Sequence, residues 1–274
     1  MIITSKWKKT LVYVVLAIFT LISLYPFYMM LIMGTYTTYN LADSVSMLPG
    51  GHLMENLKTV FGNGFMVFYK NSFYLATATT LLSLVVSSLT GYGISKFKFR
   101  GARALTIFVI AAMMIPMQVG MIGYLTEIQW LHLNGTREAI IMFYAANCFG
   151  TFWIAQYCRS HVPNEVIESA RIDGAGEFRI FVQVVLPYLK PALATLVILQ
   201  FMWNWNNYLL PLIILTDTQL YPITLGISRL ANQYSTNYAA QICALSMGTL
   251  PLIAIFICGS KYFIAGLAAG DLKG

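Results

Sequence analysis

The sequence predicts an all-α integral membrane protein with six transmembrane helices and both termini in the cytoplasm. Three observations predict it. Charged residues make up 10% of the 274 and hydrophobic residues 58%, whereas a soluble domain carries roughly a quarter charged residues. Six apolar runs reach the about 20 residues needed to cross a hydrocarbon core of roughly 30 Å: 10–33, 68–95, 104–126, 139–158, 191–215 and 241–265. The basic residues are also unevenly divided between the loops that these runs define. With the N-terminus inside, the inner side collects 13 of the 17 Lys and Arg, and the outer side only Lys58, Lys70, Arg137 and Arg229. That bias orients the bundle.

The whole chain, 1–274, reads as one transmembrane domain. The first run follows Lys6, Lys8 and Lys9, exceeds the apolar core of a signal peptide and has no A-x-A site after it, so it reads as an uncleaved anchor. In the second run Thr80, Ser83, Ser87 and Thr90 recur at three and four residues and form one polar stripe on a helix. Such a stripe serves close helix packing or lines a pathway. The third run holds Pro116 among Met113, Met114, Met117 and Met121, which predicts a kink. Asn134-Gly135-Thr136 matches a glycosylation sequon and is discounted as coincidence. The four cysteines have no CxxC spacing and no nearby His pair, and read as small buried apolar residues.

The fifth run carries the densest polar and aromatic cluster, Gln200, Trp203, Asn204, Asn207 and Tyr208 among them. Drawn as one helix, Gln200, Asn204, Asn207 and Pro211 share a face, with the amides roughly 20–24 Å beyond Pro191. Amides at that depth are costly unless they pair across helices or line water. Aromatic faces beside amides also suit a sugar, and Asn147 in the fourth run is a further candidate for the same pathway. Both readings stand: interhelical pairing, or a substrate path.

Between the fourth and fifth runs lies a polar insert, 161–190, holding four of the ten acidic residues. Pro163 suits the first turn of a helix, with Glu165 and Glu168 near its positive end. Glu168 and Arg171 can pair three residues apart. Gly174-Ala175-Gly176 supplies a sharp turn, and a second short helix, about 177–185, leads toward Pro187. Two short helices around a glycine turn make a cytoplasmic knob that is either a docking element for a soluble partner or an ordinary interhelical loop.

The spacing within this knob carries a resemblance. Glu168-Ser169-Ala170, then Gly174, then Val184 and Leu186-Pro187 look like the EAA-x3-G-x9-I-x-LP signature of the membrane subunits of bacterial ABC importers. Ala170 through Ala175, Phe181 and Pro187-x3-Pro191 are similar to the carbohydrate-uptake branch of that family. Ser169 and Val184 are the mild departures. Outside the knob, Asn56-Leu57, Tyr69-Lys70-Asn71-Ser72 and Trp203-Asn204 also fit. The tail Gly266-x3-Gly270-x2-Lys273-Gly274 is similar to that of the second membrane subunit of the maltose importer.

The resemblance implies a type I ABC importer permease fold in the bacterial cytoplasmic membrane. It implies an extracytoplasmic substrate-binding protein, a second permease subunit, and two ATP-binding subunits that carry ATP and Mg. The coupling residues it points to are Glu165, Glu168, Ser169, Ala170, Asp173, Gly174, Ala175, Phe181, Leu186 and Pro187. The outer loop, 216–240, would touch the binding protein through Arg229, Asn232, Gln233 and Tyr234. The tail would reach the ATPase through Asp271 and Lys273.

Other classes fit less well. No G-x-x-x-x-G-K-[ST] loop is present, so ATP hydrolysis would belong to a separate chain. His52, His132 and His161 all fall in loops, which speaks against an intramembrane enzyme, and no metal or cofactor site is expected. No carboxylate lies well inside a run, against a stand-alone ion-driven carrier and against a cationic solute. A non-sugar solute such as an amino acid, polyamine or phosphonate is the alternative cargo. The net charge of +7 is accounted for by the loops and implies no nucleic acid.

Overall fold

The computed structural model describes residues 6–43, 46–230 and 237–271. In chain order its helices are α1 (Lys6–Met33), α2 (Thr38–Asp43), α3 (Leu53–Gly62), α4 (Phe65–Lys96), α5 (Ala102–Met114), α6 (Met117–Trp130) and α7 (Arg137–Ala145). These are followed by α8 (Cys148–His161), α9 (Asn164–Ile172), α10 (Glu177–Ile180), α11 (Leu186–Trp205), α12 (Leu209–Ile214), α13 (Ile223–Ser228) and α14 (Tyr238–Asp271). Among the described residues five helices are long and apolar enough to cross a membrane, or six if the bent pair α5 and α6 counts as one span.

Two units are distinguished. One comprises Met1–Met66 and Gly226–Leu250, the other Val67–Leu225 and Pro251–Gly274. In the first, α1 buries only Ile32; its remaining apolar surface suits lipid. Asn56, 4% exposed, donates from Nδ2 to the carbonyls of Gly34 and Tyr36, which closes the turn after α1. Gly34 fits closely there, since a Cβ would come 3.1 Å from the Cys243 backbone.

The second unit is built on α4. The small residues of its stripe are packing residues: Thr80, Ser83 and Ser87 are buried, and Thr90 hydrogen-bonds Thr151 of α8 at 3.0 Å. A Cβ at Gly91 would stand 2.8 Å from Ile154 Cβ, and one at Gly150 would meet Ser87. This is the close helix approach that small residues allow. Trp153 donates to the Ala192 carbonyl of α11, so α8 bridges α4 and α11.

Four expectations change. The third run is broken at Ile115-Pro116, and its halves diverge by 102°. A residue before proline is pushed out of the helical region; Ile115 has ψ 125 and Pro116 ψ 127. At 13 residues α5 is about 20 Å long and does not span alone. The fourth run is interrupted at Ala146-Asn147, where Asn147 caps α8 by accepting from Gly150 N at 2.7 Å.

The fifth run ends at Trp205. Asn204 and Asn206 donate their side-chain amides back to the carbonyls of Gln200 and Met202, and the Asn207 carbonyl accepts from Thr224. Gln200, Asn204, Asn207 and Pro211 therefore do not share one face. The short second helix of the knob is in fact continuous with the fifth span. A single π-helical turn, Phe181–Val185, joins α10 to α11. Its wider turn precedes Pro187, which has no N–H to give and whose ring would crowd the carbonyl four residues back.

Smaller points follow the same logic. Thr136 of the sequon caps α7 by accepting from Ala139 N. Cys158 and Cys243 are buried, as read, but Cys258 is exposed, on an apolar stretch of α14. Within 216–240, Asn71 of α4 donates to the carbonyls of Gln219 and Tyr221, and Ser72 accepts from Ile223 N at 2.7 Å.

Candidate functional site

Two features of the second unit can do work: the α9 projection and a cavity among the helix breaks. The projection is set by local rules. Pro163 is the N-cap of α9, with extended backbone at ψ 141, and Asn164 is the first helical residue; the first-turn placement expected for Pro163 shifts by one. At the other end Gly174 N bonds the Arg171 carbonyl and Ala175 N bonds the Ala170 carbonyl, both at 3.0 Å. This pair of bonds around a left-handed residue is a Schellman cap. Gly174 has φ 80, the conformation that glycine adopts without cost.

The cap explains the spacing of the motif. Ala170 and Ala175 are the two positions it draws together, and both pack on the core formed by Tyr92, Ile154, Ile167, Ile180, Phe181 and Val185. Among the expected coupling residues, Ala170, Ala175, Phe181 and Leu186 face inward as anchors, whereas Glu165, Glu168, Ser169, Asp173, Gly174 and Pro187 are exposed. Ile167, 3% exposed, is the central anchor that residue patterning missed. Ile172 and Phe178 flank the turn at 86% and 75% exposure, large apolar side chains presented outward where burial would be expected. A Cβ at Gly174 would meet nothing within 4 Å.

Arg171 pairs with Glu177 across the turn, not with Glu168. Its Nε and Nη2 donate to the two carboxylate oxygens at 2.7 and 3.2 Å, and this bond pushes the Arg171 guanidinium further above its usual range. With the side chains 40% and 46% exposed, the pair contributes about 0.2–1 kcal/mol to stability. Tyr92 of α4 also donates to Glu177, at 3.3 Å. The Arg171 guanidinium lies 5.7 Å from the Phe97 ring centroid, within cation–π range. Lys96 Nζ donates to the Val162 carbonyl at 2.6 Å and to Asn164 Oδ1 at 2.9 Å, tying the start of α9 to the end of α4.

The cavity, about 660 Å³, is lined by Met113, Pro116, Phe143, Tyr144, Asn147, Phe149 and Trp203 together with smaller neighbours. It sits where α5 breaks into α6 and α7 into α8. Trp203 is half exposed and meets Phe149 edge to face, with ring centroids 5.3 Å apart. None of the described lining residues is Asp, Glu, Lys or Arg. Of the expected pathway residues, Trp203 and Asn147 reach this cavity. Asn207 is not among the lining residues, and Asn204 is committed to its own helix. Gln200 is buried at 1% exposure, its Nε2 unpartnered among the described residues, and Tyr208 lies at the helix break outside the lining. Met113 and Met117 line the cavity, and Phe143, Tyr144 and Phe149 were legible only as apolar residues of a span.

In the outer loop Arg229 is exposed, and Asn232, Gln233 and Tyr234 lie outside the described residues. Asp271 is the last residue of α14, and Lys273 also lies outside the described residues.

Broken apolar helices around a charge-free cavity, joined to an anchored helical projection, define the class of membrane permease subunits. A family model described as "Binding-protein-dependent transport system inner membrane component" matches residues 83–263, and the chain belongs to that family. Among its relatives, the arabinooligosaccharides transport system permease protein AraQ of Bacillus subtilis (strain 168) is 35% identical over 79% of this chain and 78% of its own length. The lactose transport system permease protein LacG of Rhizobium radiobacter is 30% identical over 95% of each. A crystal structure of a bacterial ABC transporter involved in the import of the acidic polysaccharide alginate superposes with a TM-score of 0.80, at 24% identity, over 96% of this chain and 100% of that one. The architecture is that of a type I ABC importer permease. The chain is a multi-pass inner membrane transport subunit, as the motif spacing implied.

Proposed function

We propose that this subunit carries a neutral sugar or oligosaccharide inward by alternating access, driven by separate ATP-binding subunits that grip α9 and the Gly174 turn. The observation that carries the reading is the two-sided projection. Its inner residues anchor it in the second unit, while Ile172, Phe178 and the carboxylates of Glu165 and Glu168 are left for a partner. ATP and Mg belong to those partners. The excess of Lys and Arg in the loops on the side of α9 supports a cytoplasmic placement of that face and of both termini.

The cavity supports the cargo class. Trp203 and Phe149 offer aromatic faces for the C–H surface of a pyranose, and Asn147 and Tyr144 offer hydrogen-bonding groups. The missing charge suits an uncharged solute; arabinooligosaccharides and lactose, named for two of the relatives, fit that class, whereas sn-glycerol-3-phosphate and the acidic polysaccharide alginate, named for others, are charged. Residues 229–236, including Arg229, Asn232, Gln233 and Tyr234, are the proposed contact with the substrate-binding protein. Asp271 and Lys273 are the proposed tail contact with the ATPase, and a second permease subunit completes the pathway.

The test is a solute panel on the complex reconstituted in liposomes with its binding protein. Neutral oligosaccharides should raise ATP hydrolysis at least about tenfold over the unliganded rate, a factor worth about 1.4 kcal/mol of barrier. Stimulation by polyamines, amino acids or phosphonates alone would overturn the sugar assignment.

A further inference from the structure

Whatever grips α9 moves the membrane helices only if α9 is held at a fixed angle to them. The backbone provides a weak hinge, because Gly174 and Gly176 bracket the turn between α9 and α10. Three side chains close across it. The Arg171 guanidinium reaches over the turn to take both oxygens of Glu177, at 2.7 and 3.2 Å. Tyr92 donates its hydroxyl to Glu177 from α4. Its ring is 4% exposed and packs on Phe97 and Phe181, with centroids 5.3 and 5.5 Å away. Arg171 also lies over Phe97.

Glu177 thus touches the end of α9 and the end of α4 from the first residue of the helix that continues as α11. Resting on the proposed function above, we infer that Arg171, Glu177 and Tyr92 form a transmission joint. They are positioning residues that lock α9 to α4 and α11, so that displacement of α9 becomes displacement of those helices and is not lost in bending at Gly174. The planar, two-pronged guanidinium suits the task, since it fixes direction as well as distance. The pair is half exposed, and its strength is too small to matter for folding. It acts on the angle.

This assigns Arg171 and Glu177 a role different from that of Glu165, Glu168, Ile172 and Phe178, which face away from the protein. A direct contact between Arg171 and the ATPase would predict the opposite behaviour when the two charges are exchanged.

The experiment measures transported sugar per ATP hydrolysed in the reconstituted full complex, comparing wild type with R171E, E177R, the double exchange R171E/E177R, and Y92F. Wild type must first show solute-stimulated hydrolysis; if it does not, the proposed function fails and the joint fails with it. Given a coupled wild type, each single charge reversal should lower transport per ATP about fivefold or more with the recovered amount of complex unchanged, and the exchange should recover most of the loss. Y92F keeps the ring in the core and removes only the hydroxyl, so it should lower the ratio about twofold without loss of assembly. If the single reversals fail to assemble, Y92F carries the test. Single variants as well coupled as wild type would overturn the joint. So would an exchange no better than either single variant, because Arg171 would then act on the ATPase directly.

Discussion

Replacing Gly174 with aspartate is expected to abolish solute-stimulated ATP hydrolysis, by about tenfold or more, while the chain still inserts and accumulates. The geometry separates those two outcomes. Gly174 holds φ 80, where a residue with a Cβ loses about 1–2 kcal/mol, and aspartate is among those that tolerate it best. A Cβ there meets no atom of this chain within 4 Å, so nothing inside the protein resists the new side chain. The turn lies between the exposed Ile172 and Phe178, and a carboxylate placed there obstructs and desolvates unfavourably against any partner groove. Hydrolysis by the reconstituted complex, measured with membrane abundance, checks the expectation. Normal stimulation would mean that the partner does not approach the turn.

The second large effect is expected at Trp203. Its replacement by alanine removes the half-exposed indole from the cavity wall and its contact with Phe149. A central aromatic anchor of this type is worth about 2 kcal/mol or more, so transport should fall by about tenfold or more. Because Trp203 is remote from α9 in the fold, ATP hydrolysis stimulated by the liganded binding protein should be largely retained. Phenylalanine, which keeps an aromatic face, should recover most of the transport. Initial uptake rates in proteoliposomes, measured alongside hydrolysis, separate the two activities. Equal loss of both would place Trp203 in the coupling path, and unchanged transport would remove the cavity from the sugar's route.

The two variants thus divide the molecule into a part that receives work and a part that passes solute, and the sequence showed these parts unequally. The projection was legible because its rules are local. A glycine three residues after Arg171, with alanines at the two positions a Schellman cap brings together, is one structural sentence. Its anchorage was not legible. Tyr92, Lys96 and Phe97 lie some 70 to 80 residues from α9 in the chain, too far for local spacing to pair them with it. Glu168 was the nearer and more obvious partner for Arg171. The preference for Glu177 arises only once the turn has folded back.

In the membrane-spanning part, apolar runs marked the helices well and their interruptions poorly. Pro116 announced a distortion, but its size depends on Ile115 also leaving helical backbone. Asn147 looked like a pathway amide and is first an N-cap, a role it combines with lining the cavity. Asn204 and Asn206 bond their own helix carbonyls, so a face drawn on an ideal helix through Pro211 placed together residues that the break separates. Hydrophobicity measures whether a segment suits lipid. It carries little information about where short polar side chains will compete with the backbone for hydrogen bonds.

The most direct test of the central claim, that the exposed turn beyond α9 is the seat of a separate motor, is photocrosslinking at position 178. A benzoyl-phenylalanine in place of Phe178 preserves an aromatic side chain at a site 75% exposed. On irradiation of the assembled complex in native membranes, the account predicts an adduct to an ATP-binding subunit, its mapped peptide on that subunit's surface, with a yield that changes on ATP binding. Adducts confined to lipid or to another membrane subunit would contradict it.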